Sequence, residues 1–134
     1  MSRVFADTSF YVAMLNTADA FHQKADAYAM DYRGEIITTE YVVVELGNWL
    51  ARAATRDRFP GFVQGLFDDP LTTVIPAERL LLRTAIGLYA ERPDKDWSLT
   101  DCISFVVMDQ WRINEALATD HHFQQAGFRA LLRE

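Results

Sequence analysis

Residues 3–9 read Arg-Val-Phe-Ala-Asp-Thr-Ser, a short apolar run that closes on an acid and two hydroxyls. Residues 4–6 suit a buried strand, and residues 8–15 carry Phe10 and Met14 at helical spacing. Asp7 therefore stands where a strand ends and a helix begins. The pattern recurs near the other end of the chain: residues 116–119 predict a strand, Asp120 follows it, and residues 121–125 predict a short helix stopped at Gly127.

Between these two junctions strands alternate with helices or helix pairs. Residues 19–31 place Phe21, Ala25, Tyr28 and Ala29 on one stripe, with Gln23, Lys24 and Asp26 facing outward, and Arg33-Gly34 ends that helix. A strand over residues 35–38 centres on Ile36 and Ile37, and Thr38 or Thr39 can cap a helix running to about residue 55. Residues 56–61 and 91–96 read as loops, and residues 59–67 as a short helix with an aromatic face. Residues 72–75 are rich in β-formers, 77–90 and 98–111 are helical, and 128–132 suits an edge strand. This alternation predicts an α/β sandwich around a mostly parallel sheet of four to five strands flanked by helices. In such sheets ligands bind beyond the carboxyl ends of the strands, where Asp7 and Asp120 both fall.

The bulk numbers narrow the function classes. The 134 residues, half of them hydrophobic and 24% charged, predict one domain spanning residues 1–134 with a substantial core and no disordered tract. The single cysteine, Cys102, permits no intrachain disulfide and lies in an apolar run, which fits a reducing cytoplasm. The N-terminal stretch carries Asp7 inside it and makes a poor signal peptide. No apolar run approaches the ~20 residues of a membrane span. The net charge of −6 argues against nucleic-acid binding. Against that, metal would neutralise an acidic pocket, and Arg52, Arg56 and Arg58 cluster after one predicted helix, with Arg52 and Arg56 at i, i+4 spacing. That cluster is either a solvated helix end or an RNA contact.

Four acids stand where apolar segments begin, end or ought to exclude charge: Asp7, Glu45, Asp101 and Asp120. Three have an ordinary explanation. Asp7 and Asp120 can cap the helices that follow them, and Ser98-x-x-Asp101 resembles a capping box. Glu45 resists that explanation. It lies beyond the first turn of its helix among Val42, Val43, Val44 and Leu46, so it must be exposed, paired, protonated or bound to a cation. If the fold gathers the four, two unit charges ~4 Å apart repel by ~1 kcal/mol in water and ~4 kcal/mol at an effective dielectric near 20. A hard divalent ion reverses that sign and can activate water against a phosphodiester. Thr8, Ser9, Ser98, Thr100 and Thr119 offer hydroxyls to orient the acids, or serve as turn and cap residues.

Other chemistries find less support. His22, His121 and His122 form no zinc pattern with Cys102. There is no Gly-x-Ser-x-Gly turn and no glycine-rich phosphate loop. Asp7 lacks a second Asp two positions later, which disfavours a phosphatase with an aspartyl nucleophile. A signalling receiver domain, or a non-catalytic interaction module, remains as an alternative α/β reading.

Asp7-Thr8-Ser9, Glu45 within a helix, Trp-Ser-Leu-Thr-Asp-Cys (97–102) and Ala-Thr-Asp-His-His-Phe (118–123) together resemble the motifs of PIN-domain ribonucleases. The small form resembles the VapC-type toxins of bacterial toxin–antitoxin pairs over roughly residues 3–129. The resemblance implies a PIN-like three-layer fold and a Mg²⁺- or Mn²⁺-dependent endoribonuclease acting in the cytoplasm. Asp7, Glu45, Asp101 and Asp120 would be its catalytic, metal-binding acids, supported by Thr8, Ser9, Thr100 and Thr119. It further implies a homodimer and a cognate antitoxin covering the active groove. Phe59, Phe62, Leu66 and Phe67 would then serve either core and dimer packing or antitoxin docking. Hydrolysis of this type leaves 5′-phosphate and 3′-hydroxyl ends.

Overall fold

A computed structural model describes residues 2–134. Five strands, β1 (Arg3–Ala6), β2 (Glu35–Thr39), β3 (Thr72–Ile75), β4 (Glu115–Leu117) and β5 (Arg129–Ala130), form one sheet in the order β3-β2-β1-β4-β5. Every pairing is parallel, with Val4 opposite Ile36, Ala6 opposite Leu117 and Ile37 opposite Thr73. Parallel strands need crossovers, and among the described residues seven helices supply them: α1 (Thr8–Leu15), α2 (His22–Asp31), α3 (Glu40–Trp49), α4 (Arg58–Asp68), α5 (Arg79–Glu91), α6 (Leu99–Trp111) and α7 (His122–Gln125). The strand order runs outward from β1 to β3, then returns to the other side of β1 for β4 and β5. Right-handed crossovers place α1–α4 on one face and α5–α7 on the other, giving three layers. The place where the order reverses, between β1 and β4, opens a crevice at the strands' carboxyl ends.

The core explains why these segments fold this way. Phe5, Ile37 and Leu117 from the sheet meet Phe10, Leu46, Ile103, Met108 and Phe123 from the helices, all essentially without solvent exposure. Positions 101–108 of α6 are all buried, so this helix lies deepest, and Cys102 is one of its core residues. The Thr38 hydroxyl donates to the Ala6 carbonyl (2.9 Å), binding β2 to β1 below the crevice.

Several boundaries depart from the sequence reading. α2 begins at His22, three residues later than expected, after a turn in which Asp19 Oδ1 accepts the Phe21 N–H (2.8 Å). α3 stops at Trp49 instead of near residue 55. The Thr55 hydroxyl donates to the Leu50 carbonyl (2.9 Å) and the Arg56 guanidinium to the Ala51 carbonyl (2.5 Å), so side chains take carbonyls that a longer helix would have used. Arg52 and Arg56 are consequently exposed turn residues and share no helix face. Residues 58–61 are the first turn of α4, not a loop; Pro60 fits there because first-turn N–H groups need no helical acceptor. β4 ends at Leu117, and the expected C-terminal strand shortens to Arg129–Ala130 before a 3₁₀ turn over Leu131–Arg133. Among the described residues no helix is long and apolar enough to cross a membrane.

Candidate metal centre

Asp7 follows β1 directly and is almost wholly buried, at 3% exposure. Its N–H donates to the Leu117 carbonyl (3.1 Å), so the backbone stays stitched to β4 one residue past the strand. Its side chain caps α1: Oδ2 accepts the Ser9 N–H (3.1 Å) and the Ser9 hydroxyl (2.6 Å). Ser9 Oγ in turn accepts the Thr119 N–H (3.0 Å), joining the ends of β1 and β4 through one hydroxyl.

Asp101 reaches the same place from α6. Ser98 and Asp101 form a complete capping box: the Asp101 N–H donates to Ser98 Oγ, and the Ser98 N–H donates to Asp101 Oδ2, each at 3.0 Å. Asp101 Oδ2 also receives the ring Nδ1 of His122 at 3.0 Å. Asp120 closes a turn after β4, its Oδ1 accepting the His122 N–H (3.0 Å). Glu45 sits half-buried in the second turn of α3, which touches α6, and makes no hydrogen bond among the described residues.

Capping and metal binding are therefore compatible. Each aspartate commits one oxygen to the protein and keeps the other: Asp7 Oδ1, Asp101 Oδ1 and Asp120 Oδ2 have no hydrogen-bond partner among the described residues. All four acids line one open cavity of about 310 Å³, together with Thr8, Ser9 and Thr119. The Thr8 hydroxyl is buried and has no partner among the described residues. This set of unused oxygens fits a hard divalent cation. A larger cavity of about 940 Å³, beside Tyr89 and Trp97, contains none of the four.

The electrostatics reflect the crowding. Burial, then the neighbouring Asp120 and Asp101 charges, push the Asp7 carboxyl up to about 7 against the opposing Ser9 hydrogen bonds. Burial and Asp120 also raise Asp101, against the Ser98 N–H and His122. A cation would relieve both effects at once.

Not every residue singled out from sequence arrives here. Thr100 does not line the cavity; it precedes Asp101 on α6, about 100° round the helix, and its carbonyl accepts the Ser104 hydroxyl (3.0 Å). Arg52 and Arg56 are not lining residues either. Phe59 instead borders a groove with Val43, Val44 and Pro60, Phe62 and Leu66 pack on the core, and Phe67 is half-exposed. Sequence reading missed further participants, Val12 among the lining residues. Asp19 and Trp49 line the cavity, and His122 bonds to two of its acids. Asp19 looked like part of a helix start, and nothing in the spacing separated His122 from His121.

No protein-family model matches the chain. The protein named 23S rRNA-specific endonuclease VapC20 of Mycobacterium tuberculosis, found in two strains, is 29% identical over 136 residues, spanning 93% of this chain and 95% of that protein. The crystal structure of Mycobacterium tuberculosis VapC20, described as a sarcin–ricin loop cleaving toxin, superposes with a TM-score of 0.86 at 25% identity. It covers 95% of this chain and 97% of that one. In sequence and in fold the chain is similar to this VapC-type toxin. The likeness runs along almost the whole of both chains.

Proposed function

We propose that the protein is a divalent-metal-dependent endoribonuclease and the toxin of a toxin–antitoxin pair, hydrolysing RNA phosphodiester bonds at the Asp7–Glu45–Asp101–Asp120 cavity. The observation that carries this reading is the presence of all four acids around one cavity, with three of them keeping an oxygen free of donors among the described residues. The relatives' names support it, one being an endonuclease specific for 23S rRNA. Large-subunit ribosomal RNA is accordingly the first substrate to test.

Asp7, Glu45, Asp101 and Asp120 would hold Mg²⁺ or Mn²⁺, which when bound activates water and neutralises charge developing on the phosphate. The Ser9 hydroxyl, with one hydrogen bond to Asp7 and one from Thr119, fixes the spacing of the two strand ends. The Ser98–Asp101 box holds the carboxylate against α6. Thr8 contributes a buried hydroxyl without a partner among the described residues. The assembly would be a homodimer, silenced by an antitoxin that covers the cavity and presents an Arg or Lys to its acids.

The purified chain, free of partners, is expected to cleave RNA with Mg²⁺ or Mn²⁺ and to stop with EDTA. Asp101→Asn keeps the capping geometry and removes the charge, so cleavage should fall by at least ~100-fold with the fold intact by circular dichroism. Cleavage that persists in EDTA, or in the folded Asn variant, rules the proposal out.

A further inference from the structure

His122 belongs to none of the four acid positions, yet it touches two of them. Its backbone N–H donates to Asp120 Oδ1 and its ring Nδ1 pairs with Asp101 Oδ2, both at 3.0 Å. The same ring nitrogen lies 4.0 Å from Asp120 Oδ1. One ligand-type atom from each of Asp101, Asp120 and His122 falls within 4.8 Å of the other two.

The residue is firmly placed. α7 has only four residues and would not persist by itself, so tertiary contacts hold it. Phe123 is fully buried, edge-on to Phe105 (5.0 Å between centroids) and stacked with Phe5 (6.4 Å). Gln125 Oε1 accepts the Trp97 indole N–H (3.0 Å), fastening α7 to the segment that leads into α6. Past the helix, the Phe128 N–H reaches the Phe123 carbonyl and the Gly127 N–H the Gln124 carbonyl, closed by Gly127 at φ +95°. The imidazole is thus carried to the first turn of α6 by a separately anchored element.

An imidazole here can either ligate the ion or hold its ligands. The Nδ1 contact with Asp101 disfavours ligation through that nitrogen, and the imidazole coupling measured below reports ligation through Nε2. Asp101 Oδ2 already accepts the Ser98 N–H, so a hydrogen on His122 Nδ1 makes a second bond to the same oxygen. Asp101 Oδ1 keeps no protein donor among the described residues. Ligation through Nδ1 would give up that bond and leave Oδ2 half-held. We propose that His122 is a positioning residue: with Ser98 it clamps one oxygen of Asp101 so that the carboxylate offers the other to the metal, while its backbone does the same for Asp120. This rests on the metal site proposed above. Donors behind metal-binding groups set their orientation, and losing one typically weakens metal affinity 10–100-fold.

The test is Mn²⁺ binding to the full chain by calorimetry, with pulsed electron paramagnetic resonance of the bound ion. His122→Asn keeps an amide donor near the Nδ1 position, whereas His122→Gln moves it towards Nε2. The Gln variant should bind Mn²⁺ at least ~10-fold more weakly, the Asn variant within ~3-fold of the unsubstituted chain, and the unsubstituted chain should show no directly coordinated imidazole nitrogen. Unchanged affinity in the Gln variant, equal weakening in both, or a strong imidazole coupling overturns the inference. If the Gln variant loses its helical signal, His122→Ala replaces it and is read the same way. Absence of Mn²⁺ binding by the unsubstituted chain defeats the metal site and this inference together; a wrong variant pattern alone defeats only the inference.

Discussion

Asp7 is a helix cap, a strand terminus and a cavity wall, and its chemistry follows from being all three. The cap uses Oδ2 and leaves Oδ1 facing neither a backbone nor a side-chain donor among the described residues. Burial, Asp120 and Asp101 raise its carboxyl to about 7, well above the unfolded value of 3.8. A group raised on folding contributes stability that is fully present below the unfolded pKa and is lost as pH climbs through the folded one. In EDTA this carboxyl should therefore cost the folded state progressively more between about pH 4 and 7, up to ~4 kcal/mol for a shift of this size. Asparagine also caps helices and carries no charge. Asp7→Asn should thus be more stable than the unsubstituted protein at pH 8, with the difference shrinking towards pH 5. Urea denaturation at both pH values measures it, and an equal difference at both would contradict the assignment.

At the start of α6 the capping box and the acid cavity share one carboxylate. Because Ser98 and His122 hold Oδ2 only, weakening the box should damage the helix more than the site. Ser98→Ala removes the hydroxyl that receives the Asp101 N–H and should cost ~1 kcal/mol of stability, while cleavage stays within a few-fold. A loss of cleavage as complete as in Asp101→Asn would mean that the Ser98 hydroxyl serves the reaction directly. The elements themselves were mostly readable: α1 and β3 occupy the segments that periodicity and composition indicate. α3 was overrun because Leu50, Ala51, Ala53 and Ala54 favour a helix, whereas Thr55 and Arg56 fold back to take the carbonyls of Leu50 and Ala51. Those side-chain bonds depend on the chain having already turned, so local propensity does not report them.

Across the whole molecule, the reversal of strand order between β1 and β4 is what brings the scattered acids to one cavity. Asp7 and Asp120 come from the two strands at the reversal, and Glu45 and Asp101 come from α3 and α6, which meet above it. Gathering them without a cation is unfavourable, so an ion that binds only the folded state should stabilise it. At ~100 times its dissociation constant the gain is ~2.7 kcal/mol, or roughly 8 °C in melting temperature for a chain of this size. Calorimetric scans with and without Mg²⁺ or Mn²⁺ measure this. The gain should be clearly smaller in Asp7→Asn, and an identical gain in both proteins would remove Asp7 from the site.

The amino-acid order alone determined the alternation of strands and helices and the identity of the four conspicuous acids. Those features reside in short-range periodicity, in caps, and in charge set inside apolar runs. It could not determine that one cavity collects the acids, that Asp19 and Trp49 join its wall, or that His122 spans Asp101 and Asp120. Those depend on the strand order, on α7 being pinned through Phe123 and Gln125, and on α3 meeting α6. Each is a contact between segments far apart in the chain, set by how whole elements pack and not by any one segment's preference.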